Sequence, residues 1–289
     1  MYSSIALDGR WVTRRYGHYL GQKGHSCLED VTMEEVRDYI LQTATEVRAS
    51  SLHNILLYLK HFHIFLKEND ISAPDCVELF SYKVYREMPV QGCITDEDLQ
   101  RIYDVIDVDT VMGKRDLAII ELAATTGLRA VDIIKLTLDD IDWDKAEIHT
   151  IQSKTGRAVS LPLINDAADA LADYINNGRP DSQSNLIFLR TNPPCYPISD
   201  SSSIGYMFRS YEKKAGIVRQ ALDGKGFHGL RRHLAKKLLI TGTPITSIAQ
   251  ILGHERLESV RQYLSLDTSN IKECALSFKG IELRRKELL

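Results

Sequence analysis

Residues Ala146 to Leu163, AEIHTIQSKTGRAVSLPL, are where the periodicity of the sequence changes. Ala146 to Gln152 and Arg157 to Leu163 are strand-like runs, and Ser153-Lys154-Thr155-Gly156 supplies turn residues between them. That spacing predicts a β-hairpin with Lys154 exposed at its tip. Nearly everything around it follows a helical period. The expected class is therefore mainly α with a small β-hairpin or sheet, an α+β arrangement.

Working upstream, Leu117 to Ala124 reads as a buried helix closed by Gly127, and Val131 to Leu136 as another helical turn or two. Thr95-Asp96-Glu97-Asp98 opens a helix carrying Leu99, Ile102, Tyr103 and Ile106, while Met88 to Gly92 interrupts the pattern before it. Further back, Leu52, Ile55, Leu56, Leu59, Phe62, Phe65 and Leu66 mark one helix. Thr32-Met33-Glu34-Glu35 is a capping box opening another, from about 32 to 46. Downstream, helices are expected at Asn165–Asn177, Ser199–Ala215, His228–Ile240, Pro244–Leu252 with Thr243 as cap, and Glu255–Leu264. A weaker pattern covers Ser269 to Phe278. These patterns divide the chain into a small all-helical unit, 1–88, and a larger one, 89–289.

The 289 residues have 44% hydrophobic and 26% charged content, with no apolar run near the roughly 18 residues of a membrane span. The opening MYSSIALDGR does not read as a signal peptide. Cys27, Cys76, Cys93, Cys195 and Cys274 are scattered without a CxxC pair, which fits a reducing cytoplasm and suggests no zinc or redox site. The net charge of -3 speaks against nucleic acid if read globally. Locally it reverses, because Gly205 to Tyr263 holds eleven Lys/Arg against four Asp/Glu. Such a stretch permits DNA binding but equally describes a solvated face.

Breaking a phosphodiester with a protein nucleophile needs cations on the non-bridging oxygens, a group to activate the attacker and an acid for the leaving oxygen. His228-Gly229-Leu230-Arg231 sets two polar side chains at i and i+3, where they can meet one phosphate. Phe227, Leu230, Leu234 and Leu238 form an apolar stripe with Arg231 at its edge, so Arg231 is expected to be held by the core, and Arg232 to point nearly opposite. Taken singly these motifs are ordinary: Gly127 can simply stop a helix, and Tyr263, one of 13 tyrosines, can simply pack. A metal site on His228 and His233 is disfavoured, because i and i+5 diverge on a helix.

In order and spacing, Thr126-Gly127-Leu128-Arg129-Ala130-Val131-Asp132, Lys154 on a hairpin, His228-Gly229-Leu230-Arg231, Leu252-Gly253-His254 and Tyr263 resemble the tyrosine recombinase (phage integrase) family, closest to its short Xer-type and mobile-element members. The resemblance implies a helical, SAM-like core-binding domain at 1–88 and a catalytic domain at 89–289 ending in an exchange helix. It also implies that Arg129 and Arg231 clamp the scissile phosphate, Lys154 protonates the departing 5'-oxygen, His228 takes the tyrosine proton or orients the phosphate, and His254 bonds a non-bridging oxygen. Tyr263 would be the nucleophile, forming a 3'-phosphotyrosyl link that leads to a Holliday junction. Asp132 would support the arginine or histidine from behind. The implied partners are double-stranded DNA and further copies of the chain, as a tetramer on DNA; neither metal nor other cofactor is implied, and no membrane. Two departures are Arg232, where the family often has histidine, and Asp132 in place of the commoner glutamate. A type IB topoisomerase shares the tyrosine chemistry without pairing two sites, and a non-catalytic DNA-binding protein of this fold would not need Tyr263.

Overall fold

The computed structural model describes residues 2–82, 92–220 and 223–253. The expected helices at Glu255–Leu264 and Ser269–Phe278, with His254 and Tyr263, lie outside the described residues. The chain divides into two compact units, Met1–Met88 and Pro89–Leu289.

In the first unit, α1 (Tyr2–Gln22), α2 (Met33–Glu46) and α3 (Ala49–Glu68) are followed by a 3₁₀ turn at Val77–Ser81. Val12, Tyr16 and Leu20 of α1 are spaced i, i+4, i+8 and bury against Val36 and Tyr39 of α2 and Ile55, Leu56 and Leu59 of α3. Sequence periodicity does not single out α1, because this narrow stripe is interleaved with Arg14, Arg15, Gly17 and His18. The start of α2 follows its capping box. Glu35 N donates to Thr32 Oγ1 (3.3 Å), and Thr32 N donates to Glu35 Oε2 (2.9 Å). Tyr16 and Tyr39 pack at 5.0 Å between ring centroids, and His63 joins them beside Phe80.

The second unit is helical around a small sheet. Its described elements are α4 (Asp96–Asp104), α5 (Val111–Thr126), α6 (Ala130–Ile133), β1 (Ile141–Asp142), β2 (Glu147–Ile151), β3 (Ala158–Pro162), α7 (Asn165–Asp173), α8 (Ser202–Lys214), α9 (His228–Ile240) and α10 (Ile245–Ile251). The sheet is antiparallel in the order β1-β2-β3, with Ile148 opposite both Ile141 and Leu161. Those three side chains are buried, while His149 and Ser160, one step along, face outward. The β2-β3 pair is the expected hairpin; β1 adds a third strand whose two residues are too few to show a period.

Helix α5 is the centre of this unit. Ala118, Ile119, Ile120, Leu122 and Ala123 are almost wholly buried, and the helix packs on α7 and α9. It starts earlier than its apolar pattern, because Thr110 caps it by accepting from Gly113 N (3.0 Å), while Val111 and Met112 are exposed. Buried Asp116 accepts from Tyr211 Oη (3.0 Å) and from Arg115 Nη2 (2.7 Å), tying α8 to α5. One expectation needs correction at α10. Its N-cap is Pro244, whose carbonyl accepts from Ile248 N (3.0 Å), so Pro244 precedes the helix and Thr243 is not the cap.

Candidate active site

Gly127 ends α5 with φ 67, and its N–H donates to Ala123 O (3.1 Å). A left-handed residue is needed here, and a β-carbon would also press on Leu252 and Leu234. The reversal sends Leu128 into the core and leaves Arg129 as the N-cap of α6. Arg129 Nη1 donates to Gln152 Oε1 (3.1 Å) and stands 3.8 Å from Asp132 Oδ2. Asp132 is buried, and its Oδ1 accepts from Ser153 N (2.7 Å), the residue before Lys154. Asp132 therefore supports Arg129 and the hairpin tip together. Lys154 itself is exposed on the turn.

Helix α9 begins at His228. Arg231, three residues on, is 2% exposed; its Nη1 donates to Gly127 O (2.6 Å) and its Nη2 to Leu252 O. It stitches the end of α5 to the end of α10, and backbone carbonyls fix a guanidinium without neutralising its charge. Arg232 does lie on a different side of α9, but the expectation that only Arg231 is held by the protein is overturned. Arg232 is buried as well, donating from Nε to Gly92 O (2.9 Å) and from Nη2 to Gly224 O. Gly92, Gly224 and Gly229 approach one another so closely that side chains there would collide with backbone, and Arg232 fills the donor role this crowded loop needs.

These elements bring four of the candidate residues, with Arg232, into one electrostatic neighbourhood. His228 is pushed down to about 4 by lost hydration, then by Arg232, Arg231, Arg129 and Lys154. The residue remains open to solvent at its edge, so the surrounding cations are the firmer cause. At pH 7 the imidazole is neutral and can accept a proton. His233 is turned away from this use: its Nδ1 lies 3.0 Å from Ile94 O and its Nε2 3.3 Å from Asp96 Oδ1. Among the described residues no cluster of His, Cys, Asp and Glu fits a metal ion.

The phage integrase family model matches residues 93–270, more than half of the chain and the whole stretch that holds these motifs. The chain belongs to the phage integrase family. Among its relatives, the y4rA protein of Sinorhizobium fredii, named for the integrase/recombinase class, is 28% identical over 275 residues, 95% of this chain and 66% of its own length. The tyrosine recombinase XerC of Oceanobacillus iheyensis is 26% identical over 89% of this chain and 84% of its own. Among solved structures, a lambda integrase dimer bound to a core site superposes with a TM-score of 0.69 at 18% identity, covering 100% of this chain and 94% of that one. This last likeness is one of fold.

Within the integrase fold, the described structure gathers Arg129, Asp132, Lys154, His228 and Arg231, while His254 and Tyr263 lie outside the described residues. Two contributors escape the sequence reading. Gln152 carries no motif signal beyond being a polar residue at a strand end, yet it is 1% exposed and contacts Arg129. Arg232 is legible only once Gly92 and Gly224 are seen beside it. The basic stretch also changes meaning. Arg219 pairs with Glu212 and Asp223, Lys225 with Asp98, and Lys237 with Asp96, so three of its eleven cations are balanced locally. Among the described residues no helix is long and apolar enough to cross a membrane.

Proposed function

We propose that this chain is a site-specific tyrosine recombinase that cuts and rejoins double-stranded DNA through a 3'-phosphotyrosyl intermediate, working in the cytoplasm as a tetramer on paired sites. The observation that carries this is that the end of α5, the Lys154 hairpin and the start of α9 bring Arg129, Asp132 and Arg231 together beside His228, in a chain of the phage integrase family. Such an arrangement attracts a phosphate and keeps a base beside it. Arg129 and Arg231 neutralise charge on the non-bridging oxygens as the phosphorus becomes five-coordinate. Tyr263 Oη attacks phosphorus while its proton passes to His228, and the P–O5' bond breaks as Lys154 gives a proton to the departing oxygen. His254 bonds a non-bridging oxygen. The second strand's 5'-hydroxyl then reverses these steps, releasing Tyr263, so the phosphodiester energy is conserved without a nucleotide cofactor. The first unit, 1–88, is a core-binding domain that adds DNA contacts, and the segment after Tyr263 is the one exchanged between copies.

The test is Tyr263→Phe on a nicked suicide substrate. DNA binding should persist and covalent protein–DNA adduct should vanish. An undiminished adduct in this variant sinks the assignment.

A further inference from the structure

Gln152 directly follows the last residue of β2, the strand leading to Lys154, and its backbone and side chain face two different parts of the site. The backbone closes the turn. Gln152 N donates to Arg157 O (2.8 Å), and Gln152 O accepts from Gly156 N (2.8 Å) and Thr155 N (3.3 Å). The side chain leaves the sheet, is 1% exposed, and offers Oε1 to Arg129 Nη1 (3.1 Å) and to Thr155 Oγ1 (3.5 Å). Its carboxamide also lies flat against Gly253, where any β-carbon would overlap it. One residue thus touches the Arg129 motif, the Lys154 turn and the residue before His254.

The chemistry of the contact is suited to a cation that must act on a phosphate. Asp132 Oδ2 already pairs with Arg129 at 3.8 Å, and a second carboxylate bonded directly to the guanidinium would cancel more of the charge the phosphate needs. A neutral amide oxygen orients the guanidinium and leaves its charge in place. Burying an amide without partners is costly, so a wholly buried glutamine in this position is held by its bonds rather than by packing alone.

We propose that Gln152 is a positioning residue that sets the Arg129 guanidinium and couples it to the hairpin carrying Lys154; this rests on the recombinase reading of the site. Hairpin and arginine then move as one, so docking Lys154 at the leaving oxygen brings Arg129 onto the same phosphate.

The experiment compares Gln152→Met, which keeps the volume and removes the acceptor, with Gln152→Glu, which keeps an acceptor, in the full chain on a nicked suicide substrate. Gln152→Met should slow adduct formation by tens of fold, up to about 100-fold, the scale of a misplaced catalytic group. DNA affinity and the thermal unfolding midpoint should stay near those of the parent, and Gln152→Glu, which restores the acceptor but whose carboxylate draws on the charge of Arg129, should recover only a small part of the rate. In an Arg129→Ala background, adding Gln152→Met should change the rate little, because two residues acting through one contact are not additive. Multiplicative losses in the double variant, or an unaffected Gln152→Met, would overturn the proposal while leaving the recombinase reading intact. If Arg129→Ala itself forms adduct at the parental rate, the active-site reading falls and the proposal falls with it.

Discussion

His228 and Arg231 sit one helical turn apart and face opposite electrostatic demands. In the proposed mechanism His228 must stay neutral to take a proton, and lost hydration together with the cations around it pushes its pKa down to about 4, under the ordinary histidine value. An oxyanion between Arg129 and Arg231 would cancel much of that repulsion. Titration of the His228 ring by NMR should therefore show a pKa well below 6.5 in the free protein and an upward move when orthovanadate or phosphate is added. A free-protein value near 6.5 would mean the cations do not act on this ring. If His228 is the base, as proposed, its unprotonated form is the active one and the acid limb of kcat/KM due to it should fall near pH 4 in the free enzyme. The two arginines also differ in their load. Arg231 donates to Gly127 O and Leu252 O deep in the protein, whereas Arg129 is partly exposed and donates to a side chain, that of Gln152. Arg231→Lys should destabilise the larger unit by about 2 kcal/mol or more, since buried carbonyls lose charge-assisted donors. Arg129→Lys should cost less than about 1 kcal/mol, and denaturant unfolding of the two variants measures the difference.

At the scale of elements, the hairpin is attached to α6 chiefly through one carboxylate. Asp132 Oδ1 takes the Ser153 N–H, and Lys135 Nζ adds a 3.0 Å bond to Ser153 Oγ. Asp132→Ala should free the turn, so the Ser153 amide should exchange with solvent faster while amides of β2 keep their protection. Asp132→Asn retains an acceptor and should restore much of that protection. Unchanged Ser153 exchange in Asp132→Ala would show that the strand pairing alone fixes the turn. The same region explains what the sequence discloses and what it hides. The β2-β3 hairpin is legible because seven-residue runs flank a turn of Ser, Lys, Thr and Gly, and α9 is found from His228 to Ile240 because its apolar stripe is regular. Helix α1 and strand β1 escape because one has a thin stripe among charges and the other has two residues. The site behaves similarly. Arg129, Asp132, His228 and Arg231 stand in local motifs and can be read along the chain, but Gln152 and Arg232 act on residues 23 and 140 positions away. Contacts of that span depend on tertiary packing, which no local pattern encodes.

At the scale of the molecule, each hydrophobic cluster among the described residues lies within one unit. One joins residues from Val12 to Phe80, another joins Ile94 through Leu230, and a third, smaller one couples α9 to α10 through Ala235, Ile248, Ala249 and Leu252. Each unit has the buried apolar surface that cooperative unfolding requires, and the smaller one has less of it. Unfolding of the intact chain should accordingly show two transitions by calorimetry or denaturant titration. Leu59 is wholly buried among Ile55, Leu56, Val36 and Tyr39 in the first unit's core. Leu59→Ala should remove about 2 to 5 kcal/mol from that unit through lost burial and the cavity left behind. The matching change in the second unit is Ile119→Ala in α5, with a cost in the same range. Each substitution should lower one transition and leave the other within about 1 °C of its parental midpoint. The functional consequence is asymmetric: Leu59→Ala should weaken DNA binding while the rate of adduct formation at saturating DNA is kept, and Ile119→Ala should lose both. If Leu59→Ala shifts both transitions equally, the units unfold as one body, and the proposed division between a DNA-binding first unit and a catalytic second unit fails with it.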